Sequence, residues 1–348
     1  MGQVGQSRNQ IGCAFTVLCI FTFQLMPQSS DSSDLMLSIM VITYNHEYYI
    51  RAALESIIEQ QTAFSIEVVV GEDCSTDGTR TILLEYQARY PTLIRLLLHK
   101  HNLGVSHNWE TTMQACRGKY IALLEGDDYW TSPQKLQKQV DFLETHPDFS
   151  MCFHNTRVQY EEALPRRASS LVTTHAKTEL TLDDVTRDWS IATATVVFRR
   201  ELLETVPEWV HNSVVVDLPV FALLASRGRV GYLLGEMSVY RVHAGGVTST
   251  DRQETFLLSL AHMHGCLDRE LNFVCHRNLT LKIANNYASL AGLMNNQGNY
   301  NAARHYLWQA WRTRAGVGAW PTKEELKALI ISFLPSMSPL PKFGVARR

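Results

Sequence analysis

The sequence contains no closely spaced cysteine pair. Its seven cysteines, Cys13, Cys19, Cys74, Cys116, Cys152, Cys266 and Cys275, are scattered and odd in number. That argues against a disulfide framework and a structural zinc site, and makes a reducing compartment the default setting. Excess charge is also missing. A formal net charge of −2 gives no electrostatic case for nucleic acid as partner. Nor is the chain poor in apolar residues: 45% are hydrophobic and 19% charged, which fits a packed globular protein and not a disordered one. The glycine-rich fingerprint of dinucleotide enzymes is absent after the first strand, where Tyr44-Asn45-His46-Glu47 stands instead, and no Walker-type loop occurs.

The apolar stretch from Ile11 to Met26 is short for a membrane span, which needs about 20 residues. It follows Arg8 and ends at Pro27, but no clear small-x-small cleavage site follows. Three readings stay open: membrane anchor, secretory signal, or a spurious extension with the true start at Met36.

From Leu37 the chain alternates in character. Leu37 to Thr43, Ile66 to Val70, Leu93 to Leu98 and Tyr120 to Leu124 are short apolar, β-rich runs, as expected of buried parallel strands. Between them Ile50, Leu54 and Ile57, then Ile82 and Tyr86, then Trp109, Met113 and Cys116 recur at helical spacing. Ser132-Pro133 has the cap-plus-proline form of a helix start, with Leu136, Val140 and Leu143 facing inward. Strand and helix alternate four times in about 110 residues, which predicts an open, mostly parallel α/β sheet flanked by helices. Further strands are expected at Phe149 to Phe153, Ala192 to Phe198, Gly231 to Leu234 and Val239 to Val242, with a helix over Asp217 to Ser226.

Polar clusters fall at the strand ends, where ligands of such sheets sit. The most informative is Glu125-Gly126-Asp127-Asp128. Three carboxylates in so short a segment repel one another unless a cation or solvent screens them. Hard cations such as Mg²⁺ or Mn²⁺ take oxygen ligands, and Gly126 lets the backbone turn so that Glu125 and Asp127 can face one ion. The bland alternative is a solvated acidic turn that caps the next helix. Asp73 ends the second strand; it could accept a hydrogen bond from a base or ribose, or form an Asx turn with Ser75. Thr43 and Tyr44 on the neighbouring strand end favour the first.

The segments Val41-Ile42-Thr43-Tyr44-Asn45, Gly71-Glu72-Asp73-Cys74-Ser75-Thr76-Asp77-Gly78-Thr79, Asn102-Leu103-Gly104 and Leu124-Glu125-Gly126-Asp127-Asp128-Tyr129-Trp130 resemble, in order and spacing, the family 2 glycosyltransferases of the GT-A fold. The resemblance covers about residues 37 to 245. It implies an inverting, metal-dependent transfer of sugar from a nucleoside-diphosphate donor, uridine diphosphate by default, in polysaccharide or glycoconjugate synthesis. It implies that Thr43, Tyr44, Asn45 and Asp73 hold the nucleoside and that Asp127 coordinates Mg²⁺ or Mn²⁺. Glu125 and Asp128 would surround the diphosphate and donor sugar. The family usually has aspartate where this chain has Glu125, which leaves that residue's metal contact open. A sugar-phosphate nucleotidyltransferase would need a glycine-rich basic loop after the first strand, and none is present. The remaining alternative is a non-catalytic nucleotide-sugar binding module.

The family places its catalytic base near the start of a later helix. Asp217, in Val216-Asp217-Leu218-Pro219, is the match, with simple N-capping as its competing role. Asp183-Asp184 is the rival, but Thr181-Leu182-Asp183-Asp184 reads as an ordinary helix start. Tyr240-Arg241-Val242-His243-Ala244-Gly245-Gly246 also matches a family pattern: His243 as metal ligand or diphosphate contact, Arg241 as balancing charge, in a loop with a glycine pair. The acceptor expected is a glycan or a lipid-linked sugar, with no nucleic acid.

From Glu254 the pattern is helical. Tyr287 to Trp311 resembles a helix pair turning at Gly298-Asn299, a single tetratricopeptide-like unit. Lys323 to Leu334 is amphipathic through Leu326, Leu329, Ile330, Ile331 and Phe333; docking on the domain is the expected use, membrane-surface contact the alternative. The expected division is residues 1–35 as extension, 36–250 as transferase domain and 251–348 as helical C-terminal region, in a cytoplasmic protein or one peripheral on the cytoplasmic membrane face.

Overall fold

The structure, a computed structural model, describes residues 35–160, 177–188, 190–243, 245 and 253–333. The stretch Ile11 to Met26, and with it the readings of the N-terminal extension, lies outside the described residues, as do Ala244, Gly246 and Leu334.

Strands β1 (Leu35–Thr43), β2 (Ser65–Glu72), β3 (Ile94–Leu98) and β4 (Tyr120–Glu125) alternate with helices α1 (Ile50–Ile58), α2 (Thr79–Arg89) and α3 (Val105–Ala115). They pair in parallel in the order β3-β2-β1-β4. Successive residues of β1, β2 and β4 are buried on opposite faces, which is why these strands read as nearly continuous apolar runs; β3, at the sheet edge, fully buries only Ile94. Leu37, Ile39 and Val41 enter one core with Ile50, Leu54 and Leu136, whereas Met40 enters the other with Trp109 and Phe221. Each such fully buried side chain stabilises the fold by about 1.5–3 kcal/mol.

After β4 the sheet becomes mixed. β5 (Tyr129–Trp130), β6 (Phe149–Tyr160), β7 (Glu179–Leu180), β8 (Val197–Arg199) and β9 (Arg229–Val242) complete nine strands, with β8 antiparallel between β4 and β6, and β9 parallel to β6. β5 and β7 each pair antiparallel with β9. Several expectations change here. Gly231 to Leu234 and Val239 to Val242 are one bent strand, kinked where Gly235 takes φ +122°, a conformation that glycine alone adopts freely. Ala192 to Phe198 is mostly not a strand: Thr193–Thr195 is a 3₁₀ turn and only Val197–Arg199 pairs. Helix α4 (Lys135–Thr145) starts two residues beyond Pro133, with Gln134 at its N-cap. The expected start at Ser132-Pro133 is therefore displaced, because Ser132 and Pro133 turn their carbonyls to Gln60 Nε2 and Gln61 N, at 2.9 and 2.8 Å.

Helices α5 (Leu182–Arg187) and α6 (Asp217–Ala225) follow, and α6 is buried nearly all round. Helices α7 (Gln253–Glu270), α8 (His276–Asn296), α9 (Tyr300–Ala315) and α10 (Lys323–Phe333) form the C-terminal part. α8 is longer than the predicted pair suggested, and the turn at Gly298 has φ +75°. Leu267, Leu271 and Leu279 of α7, α8 and their connection join the core of the α3–α6 face. Helix α10 packs on α9 and α8, but not through the apolar stripe that the sequence suggests. Its buried residues are Glu325 and Ser332, whereas Leu326, Ile330 and Phe333 are exposed. Glu325 is buried because Arg314 of α9 reaches it, Nε to Oε1 at 2.8 Å. Among the described residues, no helix is long and apolar enough to cross a membrane.

Candidate active site

The strand order reverses between β1 and β4, and a cavity of about 300 Å³ opens at the carboxyl ends of β1, β2 and β4. Thr43, Tyr44, Asp73, Glu125, Asp127, Arg241 and His243 all line it. Asn45, Asp128 and Asp217 are not on its wall.

The loop after β1 is held by the loop after β2. Asn45 adopts φ 57°, and its Oδ1 accepts the Thr76 N–H at 2.8 Å while its own N–H donates to Ser75 Oγ at 3.0 Å. His46 N–H donates to Thr79 Oγ1 at 2.8 Å, and Glu47 N–H to Asp77 Oδ2 at 3.0 Å. The Ser75-Thr76-Asp77-Gly78 segment is thus a latch for residues 45–47, and Asn45 is engaged in that latch. Asp73 forms no Asx turn with Ser75. Its Oδ1 accepts from Leu103 N at 2.6 Å and its Oδ2 from Gly104 N at 3.0 Å, so it fixes the Asn102-Leu103-Gly104 loop on the cavity rim. The Ser75 N–H goes to Glu72 Oε1 at 2.5 Å instead.

Gly126 works by its size. A Cβ there would stand 2.5 Å from Thr43 Oγ1 and 2.8 Å from His46 Nδ1. The missing side chain lets the acidic turn lie directly against the end of β1. Asp127 points into the cavity, where its Oδ2 meets His243 Nε2 at 2.9 Å and faces His46 Nε2 at 3.8 Å. Burial works to raise the Asp127 pKa, but the His243 hydrogen bond and the His46 and His243 charges outweigh it, holding the carboxyl below its ordinary value. For His46, burial outweighs the pull of Asp127, and the proximity of His243 adds to it, so its pKa is lowered.

Glu125 and Asp128 behave differently from Asp127. Burial, then Asp127 and Asp217, push Glu125 well above the ordinary carboxylate range. Asp128 is 2% exposed; burial, then Asp127 and Glu125, push it well up too. One Asp128 oxygen accepts the Arg241 N–H at 2.9 Å and the other is buried without a partner. Asp128 therefore anchors β9 to the acidic turn. The Arg241 guanidinium donates to the Asp127 carbonyl at 2.7 Å and lies 4.4 Å over the Tyr129 ring, which keeps a positive charge beside the turn.

Asp217 is the first residue of α6, inside the helix and not its N-cap, and Leu218 N–H donates to its Oδ1 at 2.8 Å. Its charge reaches both Glu125 and Tyr240. Asp183 belongs elsewhere: it pairs with Arg187 at 3.0 Å and accepts from Asn278 at 2.8 Å, while Thr181 and Asp184 form the capping box of α5.

Among the described residues, one set of three potential metal ligands converges: His46, Asp127 and His243, with ligating atoms within 4.8 Å of one another. Two imidazole nitrogens and one carboxylate oxygen suit a divalent transition ion. Glu125 is outside this set. Sequence pattern alone does not single out His46, although its place one residue after Asn45 at a strand end is a signal.

Residues 38–206 match the family model described as Glycosyl transferase family 2. The uncharacterized protein Rv1520 of Mycobacterium tuberculosis is 40% identical over 222 residues, which is 63% of this chain. The match likewise takes in 63% of that relative's own length. The Escherichia coli UDP-Glc:alpha-D-GlcNAc-diphosphoundecaprenol beta-1,3-glucosyltransferase WfaP is 26% identical over 225 residues, covering 63% of this chain and 82% of WfaP. Among solved structures, S. aureus TarS in complex with UDP-GlcNAc superposes with a TM-score of 0.59 at 19% identity, covering 81% of this chain and 83% of that one. The likeness is one of fold, the GT-A arrangement. Asp217, Arg241 and His243 lie beyond the residues matched by the family model.

Proposed function

This chain belongs to the family 2 glycosyltransferases, and from that premise we propose that it moves a sugar from a nucleoside-diphosphate donor to a hydroxyl acceptor with inversion. The observation that carries the reading is a single cavity, at the strand-order reversal, that is lined by Thr43, Tyr44 and Asp73 and also by Asp127 and His243. Nucleoside contacts and cation ligands lie there within reach of one donor molecule.

In the proposed reaction Thr43, Tyr44 and the loop pinned by Asp73 take the nucleoside, and Arg241 balances the diphosphate charge. A divalent cation, Mn²⁺ or Mg²⁺, held by Asp127 and His243, would offset charge on the leaving diphosphate. Asp217 accepts the proton of the acceptor hydroxyl. That oxygen forms the new bond to the anomeric carbon as the bond to the diphosphate breaks on the opposite face. Glu125, close enough to feel both Asp127 and Asp217, sits between donor and acceptor sides. Asn45 and Asp128 serve this site by holding the loops that shape it.

The donor base is proposed as uridine, in keeping with the UDP-sugars named for WfaP and TarS. The acceptor is proposed as a sugar on a glycan or lipid carrier; the WfaP name specifies a diphosphoundecaprenol-linked one. The transferase unit would be residues 36–250, with the later helices as a C-terminal region on the cytoplasmic membrane face. Exposed Leu326, Ile330 and Phe333 on α10, one turn apart, support a peripheral contact there. The test is a donor-hydrolysis screen across nucleotide sugars, with Mn²⁺ and with chelator. Release of nucleoside diphosphate from one donor, abolished by chelator, is expected. Binding of a donor without release under any acceptor would instead favour a binding module.

A further inference from the structure

We infer that His46 is a third protein ligand of the cation, and that the resulting pair of imidazoles with one carboxylate selects a transition ion such as Mn²⁺ over Mg²⁺. The inference rests on the transferase reading for the identity of the site, but not for its measurement.

Distance is the first argument. His46 Nε2 faces Asp127 Oδ2 at 3.8 Å. That is too far for a hydrogen bond. His243 Nε2, by contrast, is bonded to the same oxygen at 2.9 Å. An octahedral ion with bonds of about 2.1 Å keeps adjacent ligands about 3.0 Å apart and opposite ligands about 4.2 Å apart. The 2.9 and 3.8 Å spacings, and the 4.8 Å limit on the whole set, suit an ion between the three side chains after small shifts.

His46 is also held for the purpose. Its backbone N–H is fixed by Thr79 Oγ1 at 2.8 Å, and its Nδ1 lies 3.2 Å from Thr43 Oγ1. With Nδ1–H donated to Thr43, the lone pair falls on Nε2, the nitrogen facing Asp127. Metal-bound imidazoles are oriented by such a second hydrogen bond. Gly126 completes the arrangement, since any side chain there would collide with both Thr43 and the His46 ring.

The donor set then decides the ion. Mg²⁺ takes oxygen ligands and retains several waters, so a site presenting two nitrogens gives it little. Imidazole nitrogen binds first-row transition ions more tightly. Asp127 alone would not discriminate in this way.

The experiment is a Mn²⁺ titration of the full chain, without nucleotide, following free Mn²⁺ by electron paramagnetic resonance with Mg²⁺ as competitor. His46→Ala should weaken Mn²⁺ binding by about tenfold or more while changing apparent Mg²⁺ affinity by less than about twofold. Spin-echo modulation should detect two bound imidazole nitrogens in the wild type and one in His46→Gln, which keeps a polar side chain if the alanine variant fails to fold. Unchanged Mn²⁺ affinity in a folded His46 variant, a single nitrogen in the wild type, or equal Mn²⁺ and Mg²⁺ affinities would each overturn the proposal. Donor hydrolysis is scored separately. Mn²⁺ held through His46 without turnover of any donor would count against the transferase reading and not against this one.

Discussion

His243 Nε2 lies 2.9 Å from Asp127 Oδ2, across 116 positions of sequence. The contact ties the end of β9 to the turn after β4 and aims the carboxylate into the cavity. If Asp127 is the cation's carboxylate ligand, Asp127→Ala should lower nucleoside diphosphate release by about 10²-fold or more, the scale expected when a dominant electrostatic contribution is lost. Chelator should do the same to the wild type. Full turnover in excess chelator would contradict the assignment.

Asp217 separates enzyme from binder. Leu218 N–H and the helix start keep its carboxylate in place, and Asp217→Asn preserves that shape while losing the ability to take a proton. Transfer should fall by about 10²-fold or more with donor affinity nearly unchanged. Asp183→Asn is the control; engaged with Arg187 and Asn278, it should cost about 1 kcal/mol of stability at most and leave transfer intact. Loss of transfer in the control alone would move the base to α5.

Gly126→Ala probes the close approach. The new methyl would lie within 3 Å of Thr43 and His46 at once, both held by other contacts. Destabilisation of about 1–3 kcal/mol is expected, together with weaker Mn²⁺ binding. Thermal melts and the same titration check it. A variant with wild-type melting and wild-type affinity would show that the turn adapts freely.

Lys135 gives a pH signature. It is fully buried over the Trp130 ring, its Nζ donating to Gln139 at 2.8 Å, and burial pushes its pKa from 10.5 to about 7. Between those values the unfolded chain carries a proton that the folded chain has shed, so stability should rise with pH across the window. Lys135→Met cannot show that rise. Chemical denaturation at pH 7 and pH 10 should give a wild-type gain that the variant lacks; parallel behaviour would mean that Lys135 stays protonated in the fold.

Helix α10 presents Leu326, Ile330 and Phe333 outward while burying Glu325. Sedimentation with anionic phospholipid vesicles should carry down the wild type and leave Leu326→Ser/Ile330→Ser in solution, with donor hydrolysis unaffected. Equal sedimentation of both proteins would remove α10 from the membrane contact.

Local pattern along the chain is enough to specify the parallel core and the acidic turn. β1, β2 and β4 are apolar on both faces, a pattern few folds accommodate, and Glu125 to Asp128 directly follows one of them. Strand order was not legible. Phe149 to Tyr160 and Arg229 to Val242 pair with each other through hydrogen bonds between distant segments, which local pattern does not encode. The same holds for the site. Thr43 and Asp127 could be placed on the cavity because each lies at or just after a strand end, whereas His46 became a candidate ligand only once folding had brought it opposite His243. By residue type Asn45 and Asp73 suit ligand contacts, but the tertiary structure engages their side chains with neighbouring loops. The inverted face of α10 was decided the same way, since Glu325 is buried only because Arg314 on the adjacent helix meets its charge. Periodicity records which residues prefer to leave water, and it carries no information about which distant charge will meet them when they do.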